Sequence, residues 1–199
     1  SGATSSGTDF VTYNPPTDPG NGLRPLLALE YETDPVGALT PNANLRLTAN
    51  RTADDTASIN SLLLSGGVTY DFDSAVGVDT LTVSSGNVFS TGNNSIQPTQ
   101  SGGVLAFGTT EARLFVLDDT LTLGTNASVT GSGGLSKSGA GILLENNSVT
   151  ISGGVTVNSG SLLLGTANAF TTAQPWTVRA PGTFDLNGFN NSITTLTLA

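Results

Sequence analysis

The chain reads as an all-β solenoid. Three observations carry that reading: short apolar runs punctuated by Gly, Ser and Asn, recurrence of those runs at spacings near twenty residues, and a near absence of helix signal. The stretch Gly133–Gly165 shows all three. Ile142-Leu143-Leu144, Val149-Thr150-Ile151, Val155-Thr156-Val157 and Leu162-Leu163-Leu164 are strand-length runs separated by turn residues. In Val155-Thr156-Val157 the valines point one way and the threonine the other, which places one face inward.

Echoes along the chain set the expected period. Val155-Thr156-Val157 recurs as Trp176-Thr177-Val178, and Gly160-Ser161-Leu162-Leu163 recurs as Gly182-Thr183-Phe184-Asp185. Asp79-Thr80-Leu81-Thr82-Val83 is echoed by Asp119-Thr120-Leu121-Thr122-Leu123 and by Thr194-Thr195-Leu196-Thr197-Leu198. These offsets fit turns of roughly 19 to 22 residues, the short end of solenoid periods. Two regions follow. Residues 45–199 form the solenoid, with roughly seven to eight rungs at that period. Residues 1–44 form a proline-rich extended arm, because six of the nine prolines fall between Pro15 and Pro41 and proline lacks the N–H a central strand needs. The arm has two readings, a disordered leader or an ordered strap on the solenoid or a neighbour. Leu26, Leu27, Leu29 and Tyr31 favour order, since a solvated leader has little use for them. Leu26–Tyr31 is also the one place where a helical turn is expected. The triple leucines at 62–64 and 162–164 break strict alternation, which marks a strand covered on both faces or a leucine on the outer wall. Asn93-Asn94, Asn146-Asn147 and Asn190-Asn191 are expected at corners, stacked as polar ladders.

Composition excludes several chemistries. The chain of 199 residues has no Cys and no His, so thiolate catalysis, a histidine triad and the usual zinc or copper sites are absent. Net charge is −9, with Lys137 the only lysine and five scattered arginines, so nucleic-acid binding through a basic patch is not expected. No apolar run is long enough for a membrane-spanning helix, and membrane insertion is not expected. No cofactor is expected. The chain begins at Ser1 and contains no Met. Removal of a signal peptide and trimming of an initiator Met both account for that.

Asp71 and Asp73 share a strand face, with Asp118 or Asp119 available from a neighbouring rung and Arg113 as the one candidate cation. Paired carboxylates are glycosidase apparatus, which makes a polysaccharide-active enzyme the enzymatic alternative. Outward strand positions explain the same aspartates without chemistry. The Asp-containing glycine nonapeptide of calcium β-rolls and the EF-hand loop are both missing. Five Asn-x-Ser/Thr triplets reflect turn composition.

The residues Gly133-Gly134-Leu135, Lys137, Gly139-Ala140-Gly141, Asn146-Asn147, Gly153-Gly154, Val155-Thr156-Val157, Gly160 and Leu162 to Gly165 resemble the passenger-associated repeat of bacterial autotransporter-type surface proteins. Thr183 to Phe189 resembles the strand and N-G turn of that repeat, and Leu45 to Gly86 resembles autotransporter-associated β-strand proteins more loosely. Glu145 departs from the pattern, which has a small or hydroxylated residue there. The resemblance implies a right-handed parallel β-helix, exposure on a bacterial surface and a structural or adhesive role, and supplies no catalytic residues. The expected function is therefore a non-enzymatic extracellular structural protein that stacks head-to-tail on copies of itself. Its expected assembly contacts are Leu26, Leu27, Leu29 and Tyr31 of the arm and Leu196 and Leu198 of the last strand, which ends without a polar cap. The alternatives are an adhesin that binds glycans or surfaces, with Tyr70 or Trp176 exposed in a groove, and the β-helical enzyme.

Overall fold

The computed structural model describes residues 4–5, 9–14, 22–33, 38–53, 56–72, 77–100 and 102–199. Parallel strands stack into a β-solenoid of about six turns, and the only helical element among these residues is a single 3-10 turn, Ala28–Glu30, inside the Leu26–Tyr31 run.

The strands lie on three faces, and the central turns contribute to all of them. The first face stacks Tyr31–Glu32, Asn44–Leu47, residues 61–65, residues 87–91, Ala112–Val116, Leu135–Ser138, Val155–Val157, Pro175–Val178 and Thr195–Leu198, every neighbouring pair parallel. The second face stacks Arg51–Ala53, Thr69–Phe72, Asn94–Gln97, Thr120–Leu123, Ile142–Glu145, Ser161–Leu164 and Thr183–Asp185. The third stacks residues 57–59, residues 79–82, Gly103–Ala106, Ala127–Gly131 and Ser148–Ile151, and ends in a bridge from Val149 to Phe170. The long strands Ala57–Ser65 and Asp79–Thr91 bend from the third face into the first.

Parallel in-register pairing puts like positions above one another, so inward residues form columns. On the second face Leu121, Leu143, Leu162 and Phe184 make one such column. On the first face Leu45, Leu62, Val88 and Leu114 make another. Each buried aliphatic side chain contributes about 1.5–3 kcal/mol of transfer free energy, and no rung can bury its own without the rungs on either side.

The echoes meet the structure in two ways. Val155 pairs with Trp176 and Val157 with Val178, and Leu162 pairs with Phe184, as their spacing predicts. The Asp-Thr-Leu-Thr echo does not mark a period. Its copies at 79, at 119 and near 194 lie on the third, second and first faces in turn, because the tetrapeptide encodes strand alternation and no particular face. Register offsets run from 13 residues, Tyr31 to Asn44, to 27, Ile96 to Leu123. The excess is taken up at corners.

The corners explain much of the Gly and Asn content. Asn126 and Asn168 turn the chain in the left-handed region, at φ 64° and 52°. Gly153 is needed for a different reason: a Cβ there would lie 2.5 Å from the Gly133 carbonyl oxygen and 2.6 Å from the Gly134 nitrogen. The asparagine pairs do not form one ladder. Asn94 accepts from the Gly67 and Val68 amides at the corner before the second face, whereas Asn191 accepts from the Phe170 amide.

A Gly153→Ala substitution forces apart two rungs that touch through backbone alone. It is expected to cost about 2 kcal/mol or more and to lower the melting temperature by several degrees, whereas Ser132→Ala at the exposed end of the same corner leaves the melt unchanged. Thermal denaturation by circular dichroism reads both.

Candidate functional site on the outer wall

The described part of the arm is ordered and packs on the solenoid. Asp9–Asn14 pairs antiparallel with Gly22–Pro25, and Phe10 and Leu26 turn inward onto the outer side of the first face. There Leu63 and Phe89 point away from the solenoid core, and Phe10 and Tyr31 cover them. Phe10 meets the Phe89 ring edge-on with centroids 6.2 Å apart. Leu63 is thus the centre of a strand covered on both faces, one of the two readings of its triple leucine; Leu163 is half-buried on the outer wall, the other reading. The Tyr31 hydroxyl bonds to the Asp9 carboxylate, and burial together with that carboxylate raises its pKa. Arg24 grips Glu30 through two bonds of 2.5 and 2.8 Å, which with the Leu27 amide holds the Glu30 carboxyl down at about 2.

The outward column continues past the arm. Phe89 pairs in register with Phe115, and their rings stack at 5.4 Å with 7° between planes. The next residue in that column is Ser138. Beyond it the column is polar: Asn158 Nδ2 donates to Ser138 Oγ at 3.2 Å, and Arg179 Nη1 donates to Asn158 Oδ1 at 3.0 Å. The neighbouring outward column runs Asn87, Arg113, Ser136, Thr156, Thr177. A slot of about 120 Å³ opens where these columns meet the edge of the arm, bordered by Phe10, Phe115, Asn87, Arg113, Ser136 and Ser138. Arg113 is half-exposed, with Nε donating to Glu111 at 3.1 Å and Nη1 to the Ser85 carbonyl at 3.4 Å.

Tyr70 and Trp176 are not groove residues. Both are fully buried, because strand alternation turns them inward; Trp176 packs against Phe170 and Phe184 in the core. The aromatic that does reach the wall, Phe115, has as its sequence signal only the outward phase it shares with Phe89 at a 26-residue offset. Of the expected assembly residues, Leu26 and Tyr31 pack within the chain, while Leu27 and Leu29 are 51% and 84% exposed and Leu196 and Leu198 are 50% and 75% exposed.

Two of the carboxylates weighed for catalysis, Asp71 and Asp118, bond to the backbone. Asp71 accepts from the Thr99 amide and hydroxyl, and Asp118 from the Gly92 amide and the Thr91 hydroxyl. Arg113 lies beside Glu111 and not beside an aspartate. Asp73 lies outside the described residues. Among the described residues no three acidic, His or Cys side chains converge as a metal site, and no helix is long and apolar enough to cross a membrane.

Among the described residues four charged side chains are buried, Arg51, Asp79, Lys137 and Glu145, and the last two stand in the core columns of the later rungs. Lys137 stands in the column between Leu114 and Val157, and its ammonium donates to the carbonyls of Ser138, Gly139 and Ser159 at 2.9–3.1 Å. Burial pushes it down to about 8, against the support of three acceptors. Glu145 stands between Leu123 and Leu164, and neither carboxyl oxygen has a hydrogen-bond partner. Burial alone pushes it up to about 8, so it is a neutral acid at pH 7. Asn147, two residues on and also inward, leaves both amide atoms without partners.

A parallel β-solenoid with an aromatic-to-polar strip on one outer wall is the class that fold and site define. In sequence the chain is 32% identical over 145 residues to the adhesin BmaC autotransporter of Brucella suis biovar 1 (strain 1330), an alignment that covers 72% of this chain and 4% of that protein. The chain therefore spans a small part of the relative it matches. No family model matches it, and no solved structure does.

The folded pKa of Glu145 lies above its unfolded value of 4.5, so the folded state holds the extra proton between the two. Its contribution is intact below about pH 4.5 and is lost as pH rises to about 8. Glu145→Gln is expected to remove that decline. Urea melts from pH 4.5 to 8 check it: the parent midpoint falls across the window relative to the variant, and parallel profiles contradict the assignment.

Proposed function

We propose that the chain is a β-helical segment of a bacterial surface adhesin, a rigid outer wall that contacts a surface and catalyses nothing. The observation that supports it is the division of labour among its polar groups. The Asp71, Asp118 and Asn94 side chains cap backbone amides, whereas the outer wall past the arm carries a graded strip of aromatic ring, hydroxyls, amide and guanidinium. Polar groups in order on a rigid scaffold are the usual material of recognition. The likeness to the BmaC adhesin autotransporter and the low charge density agree with an extracellular setting. Asp71 and Asp118 each accept from a backbone amide, which argues against their use as the paired acid and base of a polysaccharide hydrolase.

A second reading has its own support. The outer edge of Thr195–Leu198 and the exposed Leu196 and Leu198 offer a rung on which another rung stacks, supplied by continuing chain or by a second copy. Stacking of copies would make the filament expected from the sequence.

Beads coated with the protein are expected to be retained on extracellular-matrix and glycan-coated surfaces and to release no reducing ends from polysaccharides. Failure of retention on every surface, or turnover, contradicts the adhesive reading. Sedimentation velocity tests the second: concentration-dependent species that vanish in Leu196→Asp support stacking, and one monomeric boundary at all concentrations removes it.

A further inference from the structure

We propose that the slot at Phe115 is a binding subsite for a uronate, a six-membered sugar ring bearing a carboxylate, within an acidic glycan that lies along the outer wall. The inference rests on the adhesive reading and names its ligand class.

The ring column supplies the platform. One face of Phe115 is stacked by Phe89, and in the direction of the next rung the column steps down from a ring to a serine. The side of Phe115 toward Ser138 therefore meets no aromatic neighbour, and the 120 Å³ slot borders both. The proposed six-membered ring sits in that space, beside Phe115. The ligand must present an apolar face to Phe115 and polar edges to its surroundings, because Ser136, Ser138 and Arg113 border the slot. A pyranose has that distribution. Ser138 Oγ already accepts from Asn158, so its own hydrogen is left to donate to a ligand oxygen.

The charges choose among sugars. The chain carries −9, yet its six cations are not spread evenly over the surface. Arg51 and Lys137 are buried, Arg24 is paired with Glu30, and Arg46 lies over the Tyr31 ring. The remaining two, Arg113 and Arg179, stand on the outer wall beyond the arm, at the two ends of the polar strip. Arg113 uses two of its five donors, on Glu111 and on the Ser85 carbonyl. A guanidinium at the edge of a sugar slot takes a carboxylate through paired bonds. Glu111 beside it offsets part of the guanidinium's charge, so a ligand carboxylate is held by the donors Arg113 does not use within the chain rather than by net charge.

The strip extends the site. Ser138, Asn158 and Arg179 occupy successive rungs, about 4.8 Å apart along the axis. That rise is close to the length of one pyranose in an extended chain, so successive sugars meet successive rungs. Thr156 and Thr177 offer hydroxyls in the parallel column, and Arg179 stands at the far end for a second carboxylate. Two isolated cations on a wall of hydroxyls do not suit a nucleic acid, whose binding needs many phosphate contacts.

The test titrates the protein with trigalacturonate, its methyl ester and maltotriose by NMR. Trigalacturonate is expected to shift the amides of Arg113, Phe115, Ser136 and Ser138. Esterification and Arg113→Gln are each expected to weaken binding by about tenfold or more, the worth of a charge-assisted pair. Ser138→Phe fills the slot with a ring on Phe115, so it is expected to abolish binding while the melting temperature holds or rises. The proposal is overturned if trigalacturonate shifts none of these amides, if the ester or maltotriose binds equally well, or if Ser138→Phe binds like the parent. Bead retention separates this failure from failure of the adhesive reading: a parent protein that adheres to surfaces but ignores trigalacturonate sinks the subsite alone.

Discussion

Everything in this molecule depends on the in-register parallel ladder between rungs. A backbone hydrogen bond contributes little net stability on its own. Its effect here is positional, because parallel pairing in register along each face sets each side chain above its counterpart one turn earlier, the one shift in the Ala57–Ser65 pairing falling at its bend between faces. From that follow the inward columns of leucine and valine, the glycine contacts of backbone on backbone at Gly153, and the outward column that runs from Leu63 through Phe89 and Phe115 to Ser138. A slip by one residue would turn every column inside out.

The ladder also explains which polar burials the fold tolerates. Lys137 donates to the carbonyls of Ser138, Gly139 and Ser159, so its charge is solvated by backbone. Glu145 occupies an equivalent inward position but meets Leu123 and Leu164 above and below. A carboxyl has no donor to meet in an aliphatic column, and it keeps its proton instead. The two residues show that burial alone does not set the cost of a charge; what the neighbouring rung presents decides it.

The fold class and the later rungs were legible in the sequence. Glycine, asparagine and alternation act locally, and the pairs Val155 with Trp176 and Leu162 with Phe184 follow from spacing because the corners between them are short. The earlier rungs were less legible, since corner lengths vary and offsets stretch to 27 residues. Asp79-Thr80-Leu81-Thr82 and its echoes carry the right strand pattern without saying which face it occupies. The candidate site was harder still. Tyr70 and Trp176 looked like wall aromatics, yet their phase within the strand turns them inward, and Phe89 and Phe115 became visible as a column only once register was known. The ordering of the arm was half legible: Leu26 and Tyr31 signalled burial, but their partner Leu63 is read as outward until the arm is seen to cover it.

Register is therefore the quantity to measure, and a chain without cysteine makes it direct. Ser136 and Thr156 are register partners on the outer wall. At about 4.8 Å between strands their Cα atoms fall within disulfide range. Oxidation of the double variant Ser136→Cys, Thr156→Cys is expected to give a rapid, intramolecular disulfide in the folded monomer, while Ser136→Cys paired with Asn158→Cys stays reduced. Cross-linking of the second pair in preference to the first, or only between molecules, would contradict the rung register on which the columns, the slot and the strip all rest.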